Sequence, residues 1–130
     1  WDSGAGGWEQ SRTKPVSGDF NGDGLTDIGG FHNYDRARTA LFVWTAKVGG
    51  FNWPSMLWDS GVGVWEQTRT KPVSGDFNGD GLTDIGGFYN YDGGRTALFT
   101  WTAKTGGFNW PANVWDSGTG VWDQTRTKTI

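Results

Sequence analysis

The chain of 130 residues sets 11 Lys and Arg against 14 Asp and Glu, a net charge of −3, and contains 10 Trp, 8 Phe, 23 Gly and no Cys. Aromatics at 16% supply apolar area that a disordered chain lacks, and the two signs of charge are interspersed, so no basic stripe offers itself to nucleic acid. Disulfides and thiolate metal sites are excluded, and no apolar run nears the ~20 residues of a membrane-spanning helix.

In chain order the first signal is a repeat. Trp1, Trp58 and Trp115 each open the tripeptide WDS at a spacing of 57 residues, and residues 1–57 differ from 58–114 at only 11 positions, among them His32/Tyr89 and Arg36–Ala37/Gly93–Gly94. A third copy begins at Trp115. Within a unit, "KPVSGDF", "DIGGFYNYD", "RTALFTWTA" and "NVWDSG" are short runs rich in β-branched and aromatic residues, separated by the turn signals "NGDGLT", "GG" and "KTGGFNWP". No segment holds helical periodicity without a glycine interrupting it.

Four strands in about 50 residues is the make-up of one propeller blade. The expected fold is therefore all-β, with two four-stranded antiparallel blades per chain and a ring completed by oligomerisation or by more of a longer propeller. The expected divisions are an overhang at 1–14, blade 1 at 15–61, a link at 62–71, blade 2 at 72–118 and a partial third repeat at 119–130. The strand "TALFTWTA" places Ala97, Phe99, Trp101 and Ala103 on one face and Thr96, Leu98, Thr100 and Thr102 on the other. Both faces are apolar or small, as in a sheet held between two others. The pairs Gly29–Gly30 and Gly86–Gly87 leave bare backbone on which an aromatic layer can settle.

Two blades alone leave broad apolar flanks, which mark an interface. Three chains would give six blades and four would give eight by head-to-tail contact. The overhang complicates closure, because residues 1–14 and a neighbour's 115–128 would compete for one place. One copy is expected to close a blade and the other to be displaced.

The stretch "VSGDFNGDGLTDIGGFYNYDGGRTALFTWTA" followed by "VWDSGTGVWDQTRTK" resembles the repeats of bacterial seven-bladed propeller lectins of the Photorhabdus fucose-binding type, and more loosely the calcium-loop repeats (FG-GAP or VCBS-like) of integrin-type propellers. The resemblance implies a ring with saccharide pockets between adjacent blades, and a glycan-binding protein, secreted or on a cell surface, with fucose-type sugars as ligands. A chain of two blades departs from a seven-bladed ring.

Asp19, Asn21, Asp23 and Asp27 fall as D-x-N-x-D-G-x-x-D, and Asp76, Asn78, Asp80 and Asp84 repeat the pattern. Oxygen ligands on alternate residues of a tight loop can converge on a hard cation, so these eight are candidate ligands of a structural Ca²⁺. The alternative is that they cap backbone N–H groups without metal. The bidentate Glu that closes a helical calcium loop is missing.

The expectation for catalysis is that there is none. The carboxylates sit in a hydrophilic turn, unlike the paired acids of a glycosidase, and the lone His32 becomes Tyr89 in the second unit, the mark of a surface variant at an aromatic position. Binding remains, since an indole can take the apolar face of a sugar while Arg, Asp and Asn satisfy its hydroxyls. The segment "VWEQTRTK" places Trp65, Arg69 and Thr70 in the link, with Trp8 and Arg12 before it and Trp122 and Arg126 after it as equivalents, facing Tyr89 or Trp101 of a blade. The plainer reading makes Trp44 and Trp101 core, Trp53 and Trp110 packing anchors, and Arg12, Arg69 and Arg126 ion-pair partners of Glu9, Glu66 and Asp123.

Overall fold

The computed structural model of the protein describes residues 1–128. In the first repeat β1 (Thr13–Gly18), β2 (Asp27–Asn33), β3 (Thr39–Trp44) and β6 (Ser55–Asp59) form an antiparallel sheet in the order β1-β2-β3-β6, and the small hairpin β4 (Ala46–Lys47)/β5 (Gly50–Phe51) projects between β3 and β6. The second repeat rebuilds this with β7 (Thr70–Gly75), β8 (Asp84–Asn90), β9 (Thr96–Trp101) and β12 (Ala112–Asp116), and with the hairpin β10 (Ala103–Lys104)/β11 (Gly107–Phe108). The chain is thus all-β, with two four-stranded antiparallel sheets of propeller-blade form. Single 3₁₀ turns at Gln10–Arg12, Gln67–Arg69 and Gln124–Arg126 precede β1, β7 and the end of the described chain. The first strand of each sheet begins at Thr13 and at Thr70, two residues before the expected blade starts. The expected partial third repeat runs past the described residues at its last two positions.

Local chemistry sets these elements. Pro15 and Pro72, which lack an N–H, sit on edge strands opposite Gly30 and Gly87. The β2–β3 turn needs left-handed backbone at three successive positions, φ 67°, 53° and 53° at Asp35, Arg36 and Ala37, where the second repeat has Asp92 and two glycines. The glycine pairs do admit aromatic rings, but from within the same repeat: a Cβ on Gly87 would stand 3.1 Å from the Trp101 ring of the adjacent strand, and one on Gly86 3.4 Å from the Phe77 ring of the loop after β7.

The sheets stack with β1 beside β7, and Ser74 Oγ donates to the Ser17 carbonyl at 2.7 Å. Val16, Phe20, Phe31, Leu41, Val43 and Trp58 of the first repeat meet Ile85, Tyr89, Trp101, Ala103 and Phe108 of the second, with Trp65 of the link between them. This aromatic layer between the sheets is the principal core, with Phe31 and Trp101 rings 5.0 Å apart.

Candidate functional site

Residues 60–69 cross from one sheet to the next and are clamped first to the sheet they leave. Ser60 N donates to the Thr39 carbonyl, Gly63 N to that of Arg36, and Val64 N and Trp65 N to that of Ala37, all at 2.9 Å. The Trp65 ring then lies over the sheet it is about to enter, 4.6 Å from Tyr89 and 5.2 Å from Trp101, and its Nε1 donates to Thr70 Oγ1 at 2.8 Å. Gln67 Nε2 binds the two sides together by donating to the Arg12 and Phe31 carbonyls at 3.1 Å.

At the rim of this crossing Arg69 is held in a fork. Its Nε donates to the Glu66 carboxylate, its Nη1 to Asp92 at 2.5 Å and to the Asn90 carbonyl at 3.1 Å. These hydrogen bonds, from Asp92 foremost and then Glu66, raise the guanidinium above its ordinary pKa. Arg12 repeats the arrangement with Asp35, Glu9 and the Asn33 carbonyl. Arg126 does not. Asp123 instead accepts from the hydroxyl and N–H of Thr125, which lower its pKa, and among the described residues no ion pair joins it to Arg126. Among the described residues no Asn carbonyl and Asp carboxylate close on Arg126 as they do on the other two arginines.

Three open clefts lie along these segments. One of about 230 Å³ is lined by Trp8, Glu9, Arg12, His32, Asn33 and Tyr34. Another, of about 450 Å³, includes Glu66, Arg69, Asn90 and Asp92 with Lys14 and Lys71. The third, of about 410 Å³, includes Trp122, Asp123, Arg126 and Thr127. Lys14 Nζ donates to the Thr70 carbonyl at 2.6 Å, and burial, with Lys71 nearby, lowers its pKa.

The expected sugar-binding residues are thus gathered, but in two layers. Arg12, Arg69 and Arg126 line the clefts, as do Trp8 and Trp122. Trp65, Thr70, Tyr89 and Trp101, also expected as sugar contacts, are buried beneath in this chain: Trp101 is 0% exposed, pressed between Phe31 and Trp65. His32, expected at the surface, is likewise buried, 4.3 Å from the Trp8 ring and 3.2 Å from Thr13 Oγ1. Burial foremost, then the charge of Arg12, lowers its pKa against an opposing pull from Glu9. Trp53 and Trp110 are largely exposed, although each touches a neighbour, Trp1 and Trp58.

The acidic loops are hydrogen-bonded turns. Asp19 accepts from Gly22 N at 2.7 Å and Asp23 N at 3.1 Å through Oδ1, and from Gly24 N at 2.9 Å through Oδ2. Asn21 caps Asp23 N, and Asp23 caps Leu25 N. Asp27 is buried and accepts from Phe20 N and Ala46 N, pinning the loop to the β4–β5 hairpin. Asp76, Asn78, Asp80 and Asp84 make the same bonds. The carboxylates point at backbone N–H groups, and among the described residues no three or more His, Cys, Asp or Glu gather as a metal-holding group. In this arrangement the donor set caps a turn.

Sequence reasoning passed over Asn33, Tyr34 and Asp35 and their equivalents Asn90, Tyr91 and Asp92. The signal was there in "NYD", which begins at the last residue of β2 and of β8 and is unchanged between the repeats. The antiparallel register that sets Thr70 against Tyr89 carries Asn90 and Asp92 to Arg69. Comparison with protein-family models, with curated proteins and with solved structures found no match to the chain.

Proposed function

We propose that the chain is a carbohydrate-binding propeller module that presents several weak sites and gains avidity from their repetition. The observation that supports this most is the recurrence of one rim chemistry: Glu9–Arg12, Glu66–Arg69 and Asp123–Arg126 each line an open cleft, and Trp8 and Trp122 line two of the three. A sugar hydroxyl pair matches a guanidinium beside a carboxylate, and at Arg12 and Arg69 both are already fixed by neighbours, so little ordering entropy is lost on binding there. The indole face covers the sugar's C–H groups. Fucose-type saccharides are the first ligands to try because of the motif resemblance. The reading includes no catalysis.

The test is titration by NMR and calorimetry with methyl L-fucoside and then with a glycan array. Binding in the millimolar range is expected, with a loss of about tenfold in the Arg12→Ala or Arg69→Ala chain at unchanged circular dichroism. A second reading, a self-assembling propeller scaffold without a ligand, is favoured by the burial of Trp58, Trp65 and Trp101 in stacking alone. It prevails if no sugar binds a folded, assembled chain.

A further inference from the structure

The overhanging segments at the two ends are the same sequence in two states of attachment. The C-terminal one is fixed to the sheet before it as the link is: Ser117 N donates to the Thr96 carbonyl, Gly120 N to that of Gly93, and Val121 N and Trp122 N to that of Gly94, at 2.8–2.9 Å. Trp122 Nε1 has its Thr127 hydroxyl at 2.9 Å, Lys71 Nζ donates to the Gln124 and Thr127 carbonyls, and Gln124 is buried on the Phe88 carbonyl. Trp115 and Trp122 nevertheless expose their outer faces.

The N-terminal segment lies on the opposite flank of the molecule without that attachment. Among the described residues, residues 1–8 make no backbone hydrogen bond outside themselves, and Trp8 lacks the bond to Thr13 that its equivalents make to Thr70 and Thr127. Thr13 is turned to His32 instead. Trp1 and Trp8 rest on Trp44 and Phe42 by ring contacts alone.

The open flanks repeat the two sides of the interface already formed inside the chain. Phe77, Phe88 and Leu98 are the counterparts of Phe20, Phe31 and Leu41, while Ile28 and Trp44 are those of Ile85 and Trp101. We infer that a second copy of this chain stacks head to tail on the first sheet, and that the partner copy's Trp115–Trp122 segment takes the place of residues 1–8, which are displaced. The segment held by backbone hydrogen bonds arrives pre-formed, and the one held by ring contacts yields. The cleft at His32, Asn33 and Tyr34 is then shared between copies, with Trp122 of one chain standing where Trp8 stood on the next. This goes beyond the sugar reading and does not depend on it.

The test is sedimentation velocity on the intact chain, a chain lacking residues 1–8, and the full-length variants Trp8→Ala and Trp122→Ala, with hydrogen exchange followed on the assembled form. The intact chain should associate, the shortened chain should associate at the same or lower concentration, and Trp122→Ala should raise the midpoint concentration by about tenfold while Trp8→Ala moves it less than about twofold. Amides of residues 1–8 should exchange freely in the assembly. Association lost with Trp8→Ala and kept with Trp122→Ala would overturn the exchange, as would protection of residues 1–8 on assembly. A chain monomeric in every form would overturn it as well. Sugar titration of the same samples separately judges the lectin reading.

Discussion

Phe20 and Phe77 stand at the same place in two identical stretches, yet the first is 4% exposed and the second 52%. Ile28 and Ile85 show the reverse, 40% against 0%. Each sheet buries the face that its twin leaves open, so burial here follows position in the stack rather than residue type. The interface inside the chain is therefore a template for what each open flank can accept, and apolar flanks of this kind mark interfaces.

The largest effect that would sharpen this comparison is Phe31→Ala, which in urea unfolding should cost ~3–5 kcal/mol because the ring is enclosed by Trp58 and Trp101. Phe88→Ala, the same substitution on the open flank, should cost about 1 kcal/mol in the unassociated chain. Equal losses would break the comparison. Next come Asp27→Ala and Asp84→Ala, which each leave two N–H groups without an acceptor in both sheets alike. Each should lose roughly 2–4 kcal/mol by the same assay, and the equality serves as the control, because these sites do not face either flank.

A smaller effect, of opposite sign, is expected at the β2–β3 turn. Replacing Arg36 and Ala37 together by the glycines of the second repeat relieves side chains held at φ 53° and should stabilise the chain by about 1 kcal/mol. The smallest is at His32. Its folded pKa is lowered from the ordinary 6.5, so the unfolded chain binds the proton more readily. Its contribution is present above that value and is lost as pH falls through the depressed folded value. Stability measured against pH should slope in that window, and His32→Tyr, which installs the second repeat's residue, should flatten it.

The strands were legible because "KPVSGDF", "DIGGFYNYD" and "RTALFTWTA" carry β-forming residues between glycine turns, and because the repeat made every reading double. The mixed faces of "TALFTWTA" also foretold a sheet with a neighbour: Phe99 and Trp101 meet Trp65, while Leu98 and Thr100 lie toward the open flank. The site was legible only by neighbourhood. Trp65, Arg69 and Thr70 do come together with Tyr89 and Trp101, but one-dimensional spacing could not tell the buried layer from the rim. That division arises because Trp65 lies over the following sheet and hides Thr70 and Trp101, whereas the 3₁₀ turn at Gln67–Arg69 carries Arg69 outward to Asp92. His32 misled for the same reason, since a single polar substitution at an aromatic position says nothing of the Trp8 ring that covers it.

The most direct measurement is the mass of the chain in solution across a concentration series, by sedimentation equilibrium. Complementary flanks predict discrete multiples of 14.2 kDa that close at a fixed number and do not grow into open chains. A folded single chain at every concentration, with Phe77 still in water, would contradict it.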